Sequence, residues 1–510
     1  MPTELHSAIA EALAAAKQMI RVGDFVGAAK LCDKLLRAAP RHGEVLLLLG
    51  HVKLCQEDAA AASQALRDGL AIRPDIAEGW VHLGLVCRML GDSNGAAAAF
   101  SYALKLEPQN FQAMNGLGSL AQDASDVPAA ADWFRRAAEA DPTAPVPRKN
   151  YGYNLGVMGR LEEAEAQFAK ALALEPKNNE TRMDYGMFRL SCGDFASGWD
   201  LYEGRWRSRA FKEPDWGGAK PRWQGEALAG RSLLLWGEQG IGDQILHGTM
   251  LRDAIRRVDA AGSGSGNIII AVTDRLVPLF ERALADLSRP GITLAVTQRQ
   301  GAAAAADLQC PFGSLGGILR RSAADFAAHD DGAYLRADPA RRDALRQRYQ
   351  ALAPGNRLIG VAWRSINPFL AKSKSLSLAD LAPVFALPGI TWVNLQHGDV
   401  AEEIAASGVP LHNDTTIDTF RDLDGHAAQL AALDGVIAIS CSTVHLAAAL
   451  GVRVDLLLPR GPGRLWYWSR PELPGAERSR WYKSVRLWHQ QQPGEWQQPV
   501  AAVAEALRHG

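Results

Sequence analysis

Hydrophobic and polar positions follow a helix-only pattern over the first two-fifths of the chain and change to strands alternating with helices from Arg231 onward. In the helical part, Pro40, Pro74, Pro108, Pro142 and Pro176 recur at intervals of 34 residues. Gly50, Gly84, Gly118, Gly152 and Gly186 each stand 24 residues before a proline slot, and Ala28, Ala62, Ala96, Ala130 and Ala164 stand 12 before one. Large residues follow those alanines at Leu66, Phe100, Phe134 and Phe168. The pattern predicts helical hairpins. Gly and Ala sit where two antiparallel helices touch, the large residue fills the gap between hairpins, and Pro ends the second helix. One hairpin cannot bury its apolar face alone, so the hairpins stack.

After Arg231 the segments RSLLLW, NIIIAV and ITLAVT predict strands linked by helices. Beyond the helical PARRDALRQRYQALAP the pattern restarts with RLIGVAW, TWVNLQ, GVIAIS and VRVDLLL. Strands alternating with helices predict parallel sheets, here in two α/β halves, and ligands bind such sheets at the carboxyl ends of the strands. The terminal helix QPVAAVAEALRHG is expected to pack back on the first half.

Composition narrows the function classes. Of 510 residues, 47% are hydrophobic and 22% charged, which excludes wholesale disorder. A net charge of -1 gives no basic field for nucleic acid or a membrane surface. The six cysteines are scattered without a C-x-x-C, and no His pair stands at metal-ligand spacing, so neither a disulfide framework nor a metal site is expected. Glu4 and Glu11 stand where a signal peptide would be basic, and no uninterrupted apolar run reaches the roughly 18 residues of a membrane span, so a cytoplasmic location is expected.

Three motifs carry candidate chemistry. LLLWGEQGIGDQILHGTM places Gly240 and Gly242 at a strand-to-helix turn, where a ligand can approach the backbone and an anion can meet a helix N-terminus. Asp243 in that turn is either an N-cap or a general base facing the cleft, with His247 one turn later and Glu238 at the strand end as rivals. GVAWRSINPFLAKSKSLSL brings Arg364, Lys372 and Lys374 to a strand end, as a phosphate-binding set or as a solvated basic loop. LDGVIAISCSTVHLAAALGV joins a strand to a helix through Ser440, Ser442 and Thr443, with His445 in the first turn as phosphate ligand or core residue. Gln396, ending TWVNLQ, and Arg470, within the aromatic and basic stretch after Gly461, complete a candidate donor-binding set. The aromatics of that stretch are expected to stack on a base or sugar.

The helical repeats resemble the tetratricopeptide repeat (TPR), with Trp80, Leu83 and Gly84 matching its first-helix signature. Five regular units cover residues 9 to 178, and a degenerate sixth, with Ala210 at the proline slot, looks like a capping unit. The repeat geometry implies a concave face carrying Leu47, His51, Val81, Leu85, Asn115 and Tyr153 as contacts for a protein partner. The three motifs, in this order behind the repeats, look like bacterial repeat-bearing glycosyltransferases with a heptosyltransferase-like catalytic part. That resemblance implies an α solenoid at 1–212, then two Rossmann-like domains of GT-B type, an acceptor side at 213–350 and a nucleotide-sugar side at 351–510.

It further implies an inverting, metal-independent enzyme without a resident cofactor, with Asp243 as base, Lys374 (Lys372 as rival) neutralising the leaving phosphate, and Ser442, Thr443 and His445 holding the donor phosphates. The expected reaction is sugar transfer to a protein Ser or Thr hydroxyl, the acceptor being captured by the repeats; flagellin is a concrete candidate. Ser440 and Cys441 stand where the family turn carries Asp and Thr, which motivates one alternative, an inactive repeat scaffold. A transferase acting on a surface polysaccharide precursor is the other.

Overall fold

The computed structural model describes residues 2–260, 266–287, 291–328, 332–366, 371–461 and 463–509, without the side chains of 2–7, 259, 260 and 372. It divides into two compact units, Met1–Lys177 and Asn178–Gly510. The first is a solenoid of helical hairpins: α1 (Pro2–Arg21) with α2 (Phe25–Ala38), α3 (Gly43–Cys55) with α4 (Ala59–Ile72), α5 (Ala77–Met89) with α6 (Ser93–Leu106), α7 (Phe111–Asp123) with α8 (Val127–Ala140), and α9 (Pro145–Val157) with α10 (Leu161–Leu174).

Each second helix stops just short of its proline, and the packing follows the predicted marker residues. Ala28, Ala62, Ala96, Ala130 and Ala164 are fully buried, as are Leu66, Phe100, Phe134 and Phe168. A Cβ on Gly84 would lie 2.6 Å from the Phe100 ring, and one on Gly118 would lie 2.7 Å from Phe134. Glycine therefore lets each first helix close on its partner. The starts of α2, α4, α6 and α8 are set by a recurring aspartate: Asp24, Asp58, Asp92 and Asp126 accept the N–H groups of Gly27, Ala61, Gly95 and Ala129. At the fifth such position, Arg160 offers no side-chain cap to α10.

The sixth hairpin, α11 (Asn179–Cys192) and α12 (Phe195–Tyr202), keeps the repeat form but belongs to the second unit. The division at 177 thus falls ahead of the expected solenoid end at 212. The reason is aromatic burial: Phe195, Trp199 and Tyr202 form one core with Phe326, Trp466 and Trp481, and the Trp199 indole N–H donates to the Arg320 carbonyl at 2.9 Å. In the following turn, Arg205 pairs with Glu238 at 3.0 Å, both fully buried.

The rest of the unit holds two parallel sheets. β1 (Ser232–Trp236), β2 (Gly266–Val272), β3 (Ile292–Gln298) and β4 (Leu308–Pro311) pair in the order β3-β2-β1-β4. β5 (Arg357–Ala362), β6 (Ile390–Asn394), β7 (Leu411–His412), β8 (Gly435–Ile439), β9 (Val454–Leu458) and β10 (Val485–His489) pair in the order β10-β9-β8-β5-β6-β7. Two placements differ from expectation. Helix Gln497–Arg508 packs on the second sheet, with Val500, Val503, Ala504 and Leu507 in one core with Ile359, Val361 and Leu457. Helix Pro339–Gln350, expected to close the first half, also joins the second, where the Tyr349 hydroxyl donates to Asp414 at 2.6 Å and accepts from Gln429 at 3.2 Å. No described helix is long and apolar enough to cross a membrane.

Candidate functional site

In each sheet the chain leaves a central strand and later returns to pair on its other side, between β1 and β4 and between β5 and β8. Such switch points leave a crevice beyond the strand ends. A cavity of about 420 Å³ lies there, lined by the loops after β1, β5, β6 and β8. Gly240, Gly242 and Asp243 contribute from one half, and Arg364, Lys374, Gln396, Ser440, Ser442 and His445 from the other.

The first loop enters α13 (Ile241–Gly248), so Asp243 is the third helical residue and not the N-cap, a role taken by Gly240. The Gly240 N–H donates to Asp243 Oδ2 at 3.3 Å, which holds the carboxylate over the helix start. Burial pushes the carboxyl from its ordinary 3.8 up to about 6, although part of its surface still meets solvent; the Gly240 and Asp243 backbone N–H groups pull the other way. Space at Gly242 is tight, since a Cβ there would lie 3.0 Å from His445 Cδ2 on the facing helix.

Across the cavity, Lys374 is 6% exposed and donates to the Ser440 carbonyl at 3.0 Å, its one hydrogen-bond partner among the described residues. Burial lowers its pKa, and an ammonium with three donors in such a place favours an anion. Ser440 also accepts the Trp468 indole N–H, at 2.9 Å. Helix Ser442–Ala449 starts at the cavity wall, so its free N–H groups add positive potential. His445 is both core and lining: its Nδ1 meets the Tyr482 hydroxyl at 3.2 Å and its ring stacks on Trp468, while burial drives its pKa to about 3, leaving it neutral. Gln396 acts on backbone, its Oε1 accepting the N–H groups of Trp363 and Arg364 at 3.1 and 2.9 Å. Arg364 lies 3.4 Å from Glu403. The Lys372 side chain lies outside the described residues.

Several candidates are placed elsewhere. His247 is 1% exposed in a cage of Trp199, Trp466 and Trp481, neither ring nitrogen has a hydrogen-bond partner among the described residues, and it does not line the cavity. Burial drives its pKa to about 3. Thr443 is buried against His426, at 3.2 Å. Arg470 turns to α11, donating to Ser191 at 2.7 Å. Glu238 is taken by Arg205. Of the aromatics expected to stack on a ligand, Tyr467 reaches the cavity, whereas Trp468 and Tyr482 are core and VRLWH forms β10.

Sequence reasoning missed Arg275, His397, Thr419 and Phe420, which all line the cavity. His397 meets Thr419 at 2.8 Å and Ser442 at 3.2 Å, and burial keeps its pKa low. Arg275 lies over the Phe420 ring at 4.7 Å. Arg275 follows β2 and His397 follows β6, so the strand-end rule applied to every strand would have included both.

On the solenoid, Leu47 and His51 line a small groove. Val81 is 2% exposed within the core, which removes it as a partner contact, because α5 turns it toward the packing between hairpins. Leu85 is half-buried on that core. Asn115 and Tyr153 are half-buried, with Asn115 Oδ1 accepting from Asn150 at 3.0 Å.

A tetratricopeptide-repeat solenoid followed by an α/β region with parallel sheets defines the class of protein. The tetratricopeptide-repeat family profile matches residues 90–145. Over 504 residues the chain is 30% identical to Protein FlbA of Caulobacter vibrioides, spanning 96% of this chain and 82% of that one, and it belongs to the FlbA family. Among solved structures, a thermophilic TPR protein of Thermus thermophilus is 22% identical, covering 35% of this chain and 98% of its own, with a TM-score of 0.33. PilF of Pseudomonas aeruginosa is 18% identical, with 44% and 88% covered and a TM-score of 0.32.

Proposed function

We propose that this chain is an inverting glycosyltransferase of GT-B type, its two parallel-sheet halves acting as Rossmann-like domains. It moves a sugar from a nucleotide-activated donor to a Ser or Thr hydroxyl of a protein captured by the repeats, flagellin being a candidate. The observation that carries this reading is one cavity holding a raised-pKa carboxylate, Asp243, together with a buried ammonium, Lys374, and a helix start at Ser442.

In this reading Asp243 takes the acceptor proton as the acceptor oxygen attacks the anomeric carbon, and the bond from that carbon to the donor phosphate oxygen breaks with its electron pair going to oxygen. Lys374, Arg364 and the helix N–H groups meet the charge left on the phosphate, a task for which other transferases use a metal ion. Ser442 and neutral His445 orient the diphosphate, and Gln396 fixes the backbone at Arg364.

The test is intact-mass analysis of a candidate acceptor incubated with the purified chain and nucleotide-sugars. The expected result is a sugar-sized mass gain, lowered by about 10² to 10⁴ in rate by Asp243→Asn. Unchanged transfer by that variant would remove Asp243 as base.

A further inference from the structure

His51 on α3 and Glu78 and His82 on α5 lie outside the strand-end cavity. Glu78 and His82 are four residues apart and share one helix face, and α5 is the next first helix after α3, so stacking brings His51 alongside. The ligating atoms of all three lie within 4.8 Å of one another. The two imidazoles stack with centroids 4.0 Å apart, and none of the three side chains has a hydrogen-bond partner among the described residues. They line a cavity of about 80 Å³ beside Lys17 and Glu44, and Glu44 is taken by Arg73 at 2.5 Å.

We propose that His51, Glu78 and His82 hold a divalent transition-metal ion of the zinc type, with a fourth coordination position open to the groove. Two imidazoles and one carboxylate are the donor set of open zinc sites, whereas magnesium and calcium take oxygen donors. Bonds of about 2.0–2.1 Å in a tetrahedron place donor atoms roughly 3.4 Å apart, so the three donors, now within 4.8 Å of one another, draw closer when the ion binds. The ion ties two first helices together, and its open position takes water or a histidine or carboxylate side chain of a bound polypeptide. The sugar-transfer step, as proposed, uses no metal, so the ion serves the repeat face and not the strand-end cavity.

The test is calorimetric titration of zinc chloride into the full chain after chelator treatment, with cobalt(II) absorption as a second readout. One zinc per chain and tetrahedral cobalt bands are expected, both lost in His51→Gln/His82→Gln. Even outer partners of metal ligands are worth about 10- to 100-fold in affinity, so removing the direct ligand by Glu78→Gln, at an exposed position, is expected to weaken binding by at least about tenfold. Melting of the variants without metal is expected to match the parent. Absence of stoichiometric zinc, equal binding by parent and double variant, or undiminished affinity in Glu78→Gln overturns the proposal.

Discussion

At the residue scale, Asp243 couples stability to chemistry. Its folded pKa, about 6, lies above its ordinary 3.8, so the unfolded chain ionises first and stability falls as pH rises between those values, then stays level. Asp243→Asn removes that cost. At about pH 8 the variant is expected to be more stable than the parent by on the order of 1–3 kcal/mol, with the difference gone near pH 4, as denaturant melts at both pH values will show. If Asp243 is the base, transfer rate falls as pH drops through about 6, because only the carboxylate accepts a proton. His247 makes the opposite case. Its unpartnered nitrogens sit among three tryptophans, so His247→Phe is expected to keep transfer activity and fold at least as stably; loss of transfer without loss of stability would return it to the site. Asp243 and Lys374 were legible because glycines and basic residues flank predicted strands. His397 and Arg275 each stand alone after a strand, outside any motif, and only the strand-end rule applied to every strand reaches them.

At the element scale, the five regular hairpins of the solenoid were legible because each repeat solves the same packing problem with the same residue sizes. What the glycine, alanine and proline markers did not reveal is the aspartate that starts α2, α4, α6 and α8. Asp92→Ala is expected to cost about 1 kcal/mol, read as a lower denaturation midpoint with unchanged slope. Phe134→Ala, which empties a fully buried site between hairpins, is expected to cost about 3–5 kcal/mol. The strands built on apolar runs were legible, whereas β4, β7 and β10 were not. LQCP and LH are too short to carry a period, and VRLWH hides among arginines and aromatics that serve the core.

At the scale of the whole molecule, the boundary near 177 separates two units with their own cores, although the repeat pattern continues past it. Periodicity tracks hairpin form, not which core a hairpin joins, and Trp199 and Tyr202 commit the sixth hairpin to the α/β unit. A chain of residues 178–510 is expected to fold and bind nucleotide as the parent does. One beginning at 213 loses that aromatic core and strips Glu238 of Arg205, leaving a buried carboxyl without its cation, so it is expected to be insoluble or to melt far lower. The central claim, that the strand-end cavity is a nucleotide-sugar donor site, is tested most directly by thermal melts of the full chain with CMP, UDP, GDP and ADP, repeated on Lys374→Ala. A nucleotide at about 100 times its dissociation constant adds roughly 2.7 kcal/mol of stability. One of the four is expected to raise the melting temperature of the parent and not of the variant; no shift with any of them, or a shift that survives Lys374→Ala, would overturn the donor-site reading.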